Sequence, residues 1–224
     1  MEIRWYGQSA FRLAGESTVV IDPFADVSVL ATRGLRFDYP PIEGVRPDVL
    51  LVTHEHVDHS GVDAVEGEPL VIRSTAGTFE TPIGEVVAIA GEHDDVAGTT
   101  RGPNTLFRFA LDGLRVCHLG DLGQSALRPE QRSAIGDVDV LFVPVGDGPT
   151  IGGGAAADLV RELGPRLVVP MHFRTPAVNF LEPPDAFLEA MAARVETLDA
   201  SEVRAAGLLG SAADPTVVLF AVPS

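Results

Sequence analysis

Short apolar segments, many of them rich in valine and isoleucine, alternate with glycine, proline and acidic residues along the chain. This pattern predicts buried strands, because strands of about four to eight residues are bounded by turn residues. Helices are predicted near Ala155–Leu163 and over Pro184–Val195, so we expect an α/β fold. The predicted strands are residues 3–6, 10–13, 18–21, 48–53, 70–72, 86–90, 105–110, 114–119, 138–143, 166–170 and 216–222.

Turn signals separate these elements without any change in the general composition. The pair Asp112-Gly113 predicts a tight hairpin between two of the strands, whereas prolines predict an irregular segment over residues 25–47. No linker or low-complexity stretch divides the chain, so we expect a single domain over residues 1–224. The order of strands and helices favours two similar βα halves that meet near residues 111–114.

The charge of the chain restricts the classes of partner. The net charge is −16, and all 16 cationic side chains are arginines. Phosphate backbones require clustered cations, so nucleic-acid binding is not expected. The absence of lysine excludes Schiff-base chemistry.

The same composition indicates where the protein works. No segment approaches the roughly 18 uninterrupted apolar residues of a membrane span. The first residues also lack the apolar run of a secretion signal. We therefore expect a cytoplasmic protein with no membrane partner. The single cysteine, Cys117, lies in a predicted strand and is expected to be buried and inert.

Residues 54–59 read His-Glu-His-Val-Asp-His and contain three of the six histidines of the chain. They directly follow the predicted strand 48–53, so a rigid element would hold these side chains in place. Imidazole and carboxylate donors crowded at the end of a strand are what a divalent metal site requires. A hydrophobic core has no need of such a cluster, so we interpret the segment as part of a metal site.

Three further donors closely follow other predicted strands. These are His93, Asp121 and His172, and Asp121 lies between glycines that allow the backbone to turn and expose a carboxylate. Side chains gathered at the ends of several strands predict one site along an edge of the sheet structure.

The order of these donors resembles the metallo-β-lactamase superfamily. The family order is His-x-His-x-Asp-His, then a lone histidine, then Gly-Asp, then a late histidine at a strand end. Finer motifs resemble the branch that contains L-ascorbate-6-phosphate lactonase and other metal-dependent hydrolases. They are Trp-Tyr-Gly-Gln-Ser-Ala-Phe at 5–11, Ile-Asp-Pro at 21–23, Cys-His-Leu-Gly-Asp at 117–121 and Val-Pro-Met-His-Phe at 169–173. The resemblance implies a four-layer αββα sandwich.

The resemblance also implies a centre of two divalent metal ions. The ligands of the first ion would be His54, His56 and His93. The ligands of the second ion would be Asp58, His59 and His172. Asp121 would bridge both ions through its two oxygens, and such a carboxylate offsets the charge of two dications about 3.5–4 Å apart.

Other residues are expected near the metals without binding them. His118 is interpreted as a pocket or supporting residue rather than as a ligand. Asp22 resembles the acid that supports a ligand imidazole, although an Asp-Pro turn explains it nearly as well. Arg174 could meet a substrate phosphate or carboxylate, or it could be a surface arginine. Gln8 departs from the family pattern, where many relatives carry histidine, and this weakens a proton-transfer role for that position.

The implied function is a metal-dependent hydrolase in which a hydroxide bridging the metals attacks a small anionic ester or lactone. Asp58 and Asp121 would be the catalytic carboxylates. Nitrogen and oxygen donors suit zinc, which we favour, and also manganese or iron.

Two other functions stay open at this point. A phosphodiesterase acting on a small phosphodiester or nucleotide would use the same metals. A non-catalytic metal-binding or scaffold protein is the contrasting class, but it would be expected to have lost ligands, whereas all seven positions are filled. We expect a small-molecule substrate, and the chain could form a homo-oligomer.

Overall fold

A computed structural model describes all residues from 1 to 224, and it contains two mixed β-sheets packed against each other. The first sheet has six strands. In spatial order they are β13 (Glu202–Arg204), β1 (Glu2–Gly7), β2 (Ala10–Ala14), β3 (Thr18–Ile21), β4 (Val49–Val52) and β5 (Leu70–Arg73). The pairs on either side of β1 and the β2–β3 pair are antiparallel, whereas β3, β4 and β5 run parallel.

The second sheet has eight strands. In spatial order they are β12 (Arg194–Thr197), β14 (Thr216–Leu219), β11 (Leu167–Met171), β10 (Val140–Pro144), β9 (Leu114–His118), β8 (Pro103–Leu111), β7 (Gly84–Glu92) and β6 (Gly77–Thr81). The first five of these strands are parallel, and the last four form antiparallel hairpins. The predicted hairpin turn is confirmed between β8 and β9, where Asp112 and Gly113 both have positive φ angles.

Four helices accompany the sheets. They are α1 (Ser28–Ala31), α2 (Pro129–Ile135), α3 (Gly153–Leu163) and α4 (Asp185–Met191). Buried side chains of α2, α3 and α4 belong to the same core cluster as the second sheet. None of the helices is long and apolar enough to cross a membrane.

Alternation along the strands of the first sheet divides the apolar residues between two cores. Val19 and Ile21 of β3 belong to the central cluster of 43 buried residues, whereas Val20 between them belongs to a second cluster of 11. Successive side chains of a strand point to opposite faces of its sheet. The first sheet therefore packs on the second sheet with one face and on a separate layer with the other.

The α/β sandwich expected from the sequence is confirmed, and its outer layer over the first sheet is mostly irregular. This layer comes from residues 23–47, 62–65 and 175–181, whose only regular structure is the single turn of α1, a 3-10 turn and isolated bridges. Aromatic residues hold it together, since Phe37 packs edge-on against both Phe24 and Tyr39. The irregular segment predicted at residues 25–47 therefore replaces the helix that would complete a regular fourth layer.

The predicted boundary between two βα halves, residues 111–114, falls in the turn of the β8–β9 hairpin, in the middle of the second sheet. Strands from before this turn contribute to both sheets, and so do strands from after it. The single domain of two related halves stays a prediction.

The helix predicted over Pro184–Val195 is wrong in its second half. Helix α4 ends at Met191 because Ala192 adopts the left-handed conformation, and residues 194–197 form the edge strand β12. Val195 pairs with Val217 of β14, so β pairing overrides the local helical pattern. Helix α2 was not predicted, although proline at its first position and glycine after its last are typical helix boundaries.

A close contact between α3 and α4 depends on glycine. A Cβ at Gly153 would lie 2.3 Å from the backbone nitrogen of Phe187, whereas a Cβ at Gly154 would meet nothing within 4 Å. The two glycines are neighbours in the same first turn, so they form a matched pair for a test of this packing.

We expect Gly153→Ala to lower the free energy of unfolding by about 1–3 kcal/mol, because the added methyl group must displace the backbone of α4. Gly154→Ala should leave stability unchanged or raise it by up to about 1 kcal/mol, because it restricts the unfolded chain. Denaturant unfolding of the two variants beside the parent protein measures both effects. Equal changes in the two variants would contradict the packing argument.

Candidate metal centre

The candidate donors lie where strands of both sheets end. Asp22 and His93 come directly after β3 and β7, and His54 is the second residue after the end of β4. Asp121 and His172 follow β9 and β11 of the second sheet. The ends of the two stacked sheets therefore bring residues from distant parts of the sequence to one place. All seven predicted metal ligands take part in the contacts of this cluster.

The first donor group consists of three imidazoles. His54 Nε2 lies 3.0 Å from His56 Nδ1, and His93 Nε2 lies 3.2 Å from the same His56 atom. Nitrogen atoms bound to one tetrahedral zinc ion at 2.0–2.1 Å are separated by about 3.3 Å. Both separations thus match the spacing that a single cation requires, and one His56 proton cannot satisfy both neighbours.

Hydrogen bonds around Asp22 determine which nitrogen of two rings faces the site. Asp22 accepts from the backbone N–H of Thr53 (2.7 Å), from the Thr53 hydroxyl (2.7 Å) and from Nδ1 of His59 (3.0 Å). Because the Thr53 hydroxyl donates its only proton to Asp22, the Nδ1–H of His54 must donate to Thr53 Oγ1, 3.0 Å away. His54 therefore presents an unprotonated Nε2, and His59 directs its Nε2 toward the site, as ligands do when a carboxylate orients them.

The second donor group consists of Asp58, His59 and His172. His59 Nε2 is buried and has no hydrogen-bonding partner, and it lies 3.7 Å from a carboxylate oxygen of Asp58. A buried polar atom without a partner is costly unless something else occupies it. The residues of this group therefore fit a cation. The outward nitrogens, Nδ1 of His93 and of His172, are also buried without a partner, so these two rings lack the orienting bond that His54 and His59 have.

Asp121 lies between the two groups and faces both with one oxygen. Its Oδ2 is 3.1 Å from His172 Nε2, 3.3 Å from His59 Nε2, 3.4 Å from His93 Nε2 and 3.9 Å from His54 Nε2. Its Oδ1 instead accepts a hydrogen bond from the Ser9 hydroxyl at 3.2 Å. The expectation that Asp121 bridges two ions through both oxygens stays a prediction.

Burial and neighbouring charges shift the pKa values of these groups. Burial lowers the pKa of His54 and His172, so both rings are neutral near pH 7 and keep a lone pair. Burial opposes ionisation of Asp121 and His59, but opposite charges outweigh it. The imidazoles of His172 and His59 hold the pKa of Asp121 well below its usual range, and Asp121 with Asp58 raises the pKa of His59 well above its usual range. A dication bound here would take the place of that proton.

His118 supports the site without binding it. Its Nδ1 accepts from the backbone N–H of Gly120 at 3.1 Å, so its Nε2 carries the proton and donates to the Ser9 carbonyl at 3.1 Å. Both nitrogens are occupied, and the ring positions the chain on either side of the Ser9–Asp121 contact. The backbone N–H of Asp121 is also held, by the side chain of Asn104 at 3.0 Å. Asn104 had no signal in the sequence.

Of the two interpretations of Arg174, the structure favours the surface arginine. Its guanidinium donates to the carbonyl of Leu181 and to Glu182, and it does not line the cleft at the donor groups. Gln8 is fully buried at φ +49°, and its side-chain amide has no hydrogen-bonding partner. Cys117 is buried as predicted, and burial raises the pKa of its thiol to about 12, so it supplies no thiolate.

A cleft of about 460 Å³ opens onto both donor groups. Asp58 and Asp121 line its floor together with imidazoles from each group. Two arginines that sequence reasoning missed, Arg33 and Arg101, line it as well, and apolar residues come from the segment around α1 and from Phe180. No spacing in the sequence connects Arg33 with Arg101, because loops from different sheets carry them.

Comparison with known proteins places this arrangement in a family. Residues 2–172 match the family model of the beta-lactamase superfamily domain. A UPF0173 protein of Pyrococcus furiosus is 35% identical over 192 residues, which cover 78% of this chain and 84% of that protein. A UPF0173 metal-dependent hydrolase of Pyrobaculum neutrophilum is 30% identical and covers 91% of this chain and 95% of its own length.

Solved structures agree with these relatives. A crystal structure from Thermotoga maritima, assigned as a Zn-dependent hydrolase of the metallo-β-lactamase superfamily, is 30% identical to this chain. It superposes with a TM-score of 0.77, and the match covers 98% of both chains. The chain therefore belongs to the metallo-β-lactamase superfamily and, within it, to the UPF0173 family of metal-dependent hydrolases.

Proposed function

We propose that this hydrolase holds two divalent metal ions and cleaves a small anionic ester or lactone, as expected for the branch that includes L-ascorbate-6-phosphate lactonase. The observation that carries the proposal is the position of Asp121 Oδ2, which lies within 3.1–3.9 Å of imidazole nitrogens from both donor groups. A carboxylate that lies between two sets of donors can offset the charge of a pair of dications held by them.

His54, His56 and His93 would hold the first ion, and Asp58, His59 and His172 would hold the second. We favour zinc for the first group because its three nitrogens have tetrahedral spacing, while manganese or iron would also suit the nitrogen and oxygen donors. The ions would supply Lewis acidity and lower the pKa of a water molecule toward about 7.

The chain itself contributes position and proton handling to the hydrolysis. The oxygen of water forms a bond to the acyl carbon, the bond from that carbon to the ester oxygen breaks, and a proton passes to the leaving alcohol. Asp58 lines the cleft, where its carboxylate can accept a hydrogen bond from the attacking water and orient it. Asp121 would hold the two donor groups in fixed relation during the reaction.

The size and charge of the protein support a small molecule rather than a nucleic acid. The cleft has a volume of about 460 Å³, which is in the range of small-ligand pockets. The net charge of −16 would repel a polyphosphate backbone. A cytoplasmic enzyme is consistent with a single, buried cysteine. A scaffold function is disfavoured because no donor position has been lost.

Metal-dependent ester hydrolysis is the direct test of this function. We expect the zinc-loaded protein to hydrolyse simple esters or lactones, a chelator to abolish the activity and added zinc to restore it. His56→Ala should lower kcat/KM at least about 100-fold, because it removes one of three donors to the first ion. Circular dichroism checks that the variant folds. A loss of less than about tenfold in a folded variant would contradict the assignment.

Asp22→Asn tests the orientation of the second group. An amide offers an N–H where the carboxylate accepted the proton of His59 Nδ1, so the ring is driven to the tautomer that carries its proton on Nε2. We expect about 10- to 100-fold weaker binding of the second ion, measured by titration of metal-free protein with zinc.

The matched control for this test is Asp48→Asn. Asp48 also accepts a backbone N–H, from Thr18 at the start of β3, but it lies away from the donors. The zinc affinities of the Asp48→Asn variant should match those of the parent protein. Unchanged zinc binding in Asp22→Asn would show that the carboxylate does not orient His59.

A further inference from the structure

Two arginines face the cleft from separate loops. Arg33 lies just after α1, and Arg101 lies in the loop between β7 and β8. Both line the same cleft as Asp58 and Asp121. The cleft therefore has cationic groups on its walls in addition to the proposed metal donors.

The backbone beneath Arg101 is held firmly. The Asp94 carboxylate accepts backbone N–H bonds from Val96, Gly98, Thr100 and Arg101 itself. The loop is thereby built around one side chain, and this fixes the point from which the Arg101 side chain extends.

Neither cleft arginine has a partner within the protein. Their guanidinium groups form no ion pair and no hydrogen bond, whereas nearby Arg36 approaches Asp38 at 3.9 Å. Glu55, which also lines the cleft, is engaged by Arg73 through two hydrogen bonds at 3.0 Å and by the Ser74 hydroxyl at 2.6 Å. In a protein of net charge −16, two unpaired guanidinium groups over one cleft are suited to an anion from outside.

One side of the wall is apolar. Val29, Leu30, Leu35 and Phe180 line the cleft on the side of α1, and Val29 keeps 42% of its surface exposed. Apolar side chains at an open cleft favour a ligand that covers them. A ligand that fits this wall has an apolar portion as well as a charge.

We propose that Arg33 and Arg101 are specificity residues that bind an anionic group remote from the bond to be cleaved. The substrate is then an ester or lactone that carries a carboxylate or phosphate, separated from the reacting carbonyl by a short apolar portion that packs on Val29 and Phe180. This inference rests on the proposed hydrolase function, because the reacting carbonyl is taken to lie at the donor groups. A guanidinium is a suitable group for this purpose because it can offer two parallel hydrogen bonds to either anion.

Paired substrates separate this recognition from the hydrolysis itself. The probes are p-nitrophenyl esters of a dicarboxylic acid with its second carboxylate free, the same ester with that carboxylate methylated, and an analogue with a phosphate in its place. The variants are Arg33→Gln, Arg101→Gln and their combination. Arg36→Gln is the matched control, since Arg36 is a neighbouring exposed arginine that does not line the cleft.

We expect the parent protein to favour an anionic ester over the methylated one. The double variant should raise KM for the anionic ester about 10- to 100-fold, because it removes charge-assisted hydrogen bonds. KM for the methylated ester should change less than about twofold in the same variant, since this ester makes no such bonds. The KM values of the carboxylate and phosphate esters identify the anion, because the ester of the preferred anion should show the larger rise in the double variant. An equal rise in KM for the anionic and methylated esters would overturn the proposal. A parent protein that does not prefer the anionic ester over the methylated one would also overturn it.

A binding measurement gives a result that does not depend on turnover. Calorimetric titration of the zinc-loaded parent, the double variant and Arg36→Gln with glutarate and with inorganic phosphate compares proteins that have identical metal donors. Weaker binding in the double variant alone supports the anion site even if no ester is cleaved, and in that case only the proposed function fails. Equal binding in all three proteins overturns the anion site, whatever the hydrolysis result.

Discussion

Four imidazole nitrogens surround a single buried carboxylate oxygen, and the organisation of the protein follows from this concentration of donors. Asp121 Oδ2 lies 3.1 Å from His172 and 3.9 Å from the most distant of the four rings, that of His54. Desolvation makes such a cluster costly unless charge and hydrogen bonds compensate it. The two stacked sheets compensate for that cost, because their rigid strand ends hold each donor in position before a ligand binds.

Hydrogen bonds from the surrounding residues fix the orientation of the donor side chains. Asp22, just after strand β3 of the first sheet, holds Thr53 and His59, and through Thr53 it sets the tautomer of His54. His118 of the second sheet and Ser9, between β1 and β2 of the first sheet, hold the chain and the outer oxygen of Asp121. The hydrogen bonds of Asp22 therefore lie within the first sheet, whereas those of Ser9 connect the two sheets. The donors meet where the two sheets face each other.

Much of this could be predicted from the sequence, and the rest depends on contacts that leave no local signal. The strands and the run of histidines at 54–59 are patterns of adjacent residues, so periodicity and spacing reveal them. The partners of Arg174 and the position of Arg33 and Arg101 at the cleft leave no such pattern, because a side chain's surroundings depend on how loops fold over the sheets. Residues 194–197 illustrate the same limit, since pairing with β14 rather than local propensity makes them a strand. The contact between Ser9 and Asp121 could not be foreseen either, because the two residues are 112 positions apart in the sequence.

Anomalous X-ray diffraction at the zinc absorption edge, on crystals of the zinc-loaded protein, tests the central claim most directly. The account predicts two anomalous peaks per chain, one at His54, His56 and His93 and one at Asp58, His59 and His172, with Asp121 Oδ2 between them. A single peak in fully loaded crystals would contradict the two-metal centre, as would peaks on donors outside this cluster.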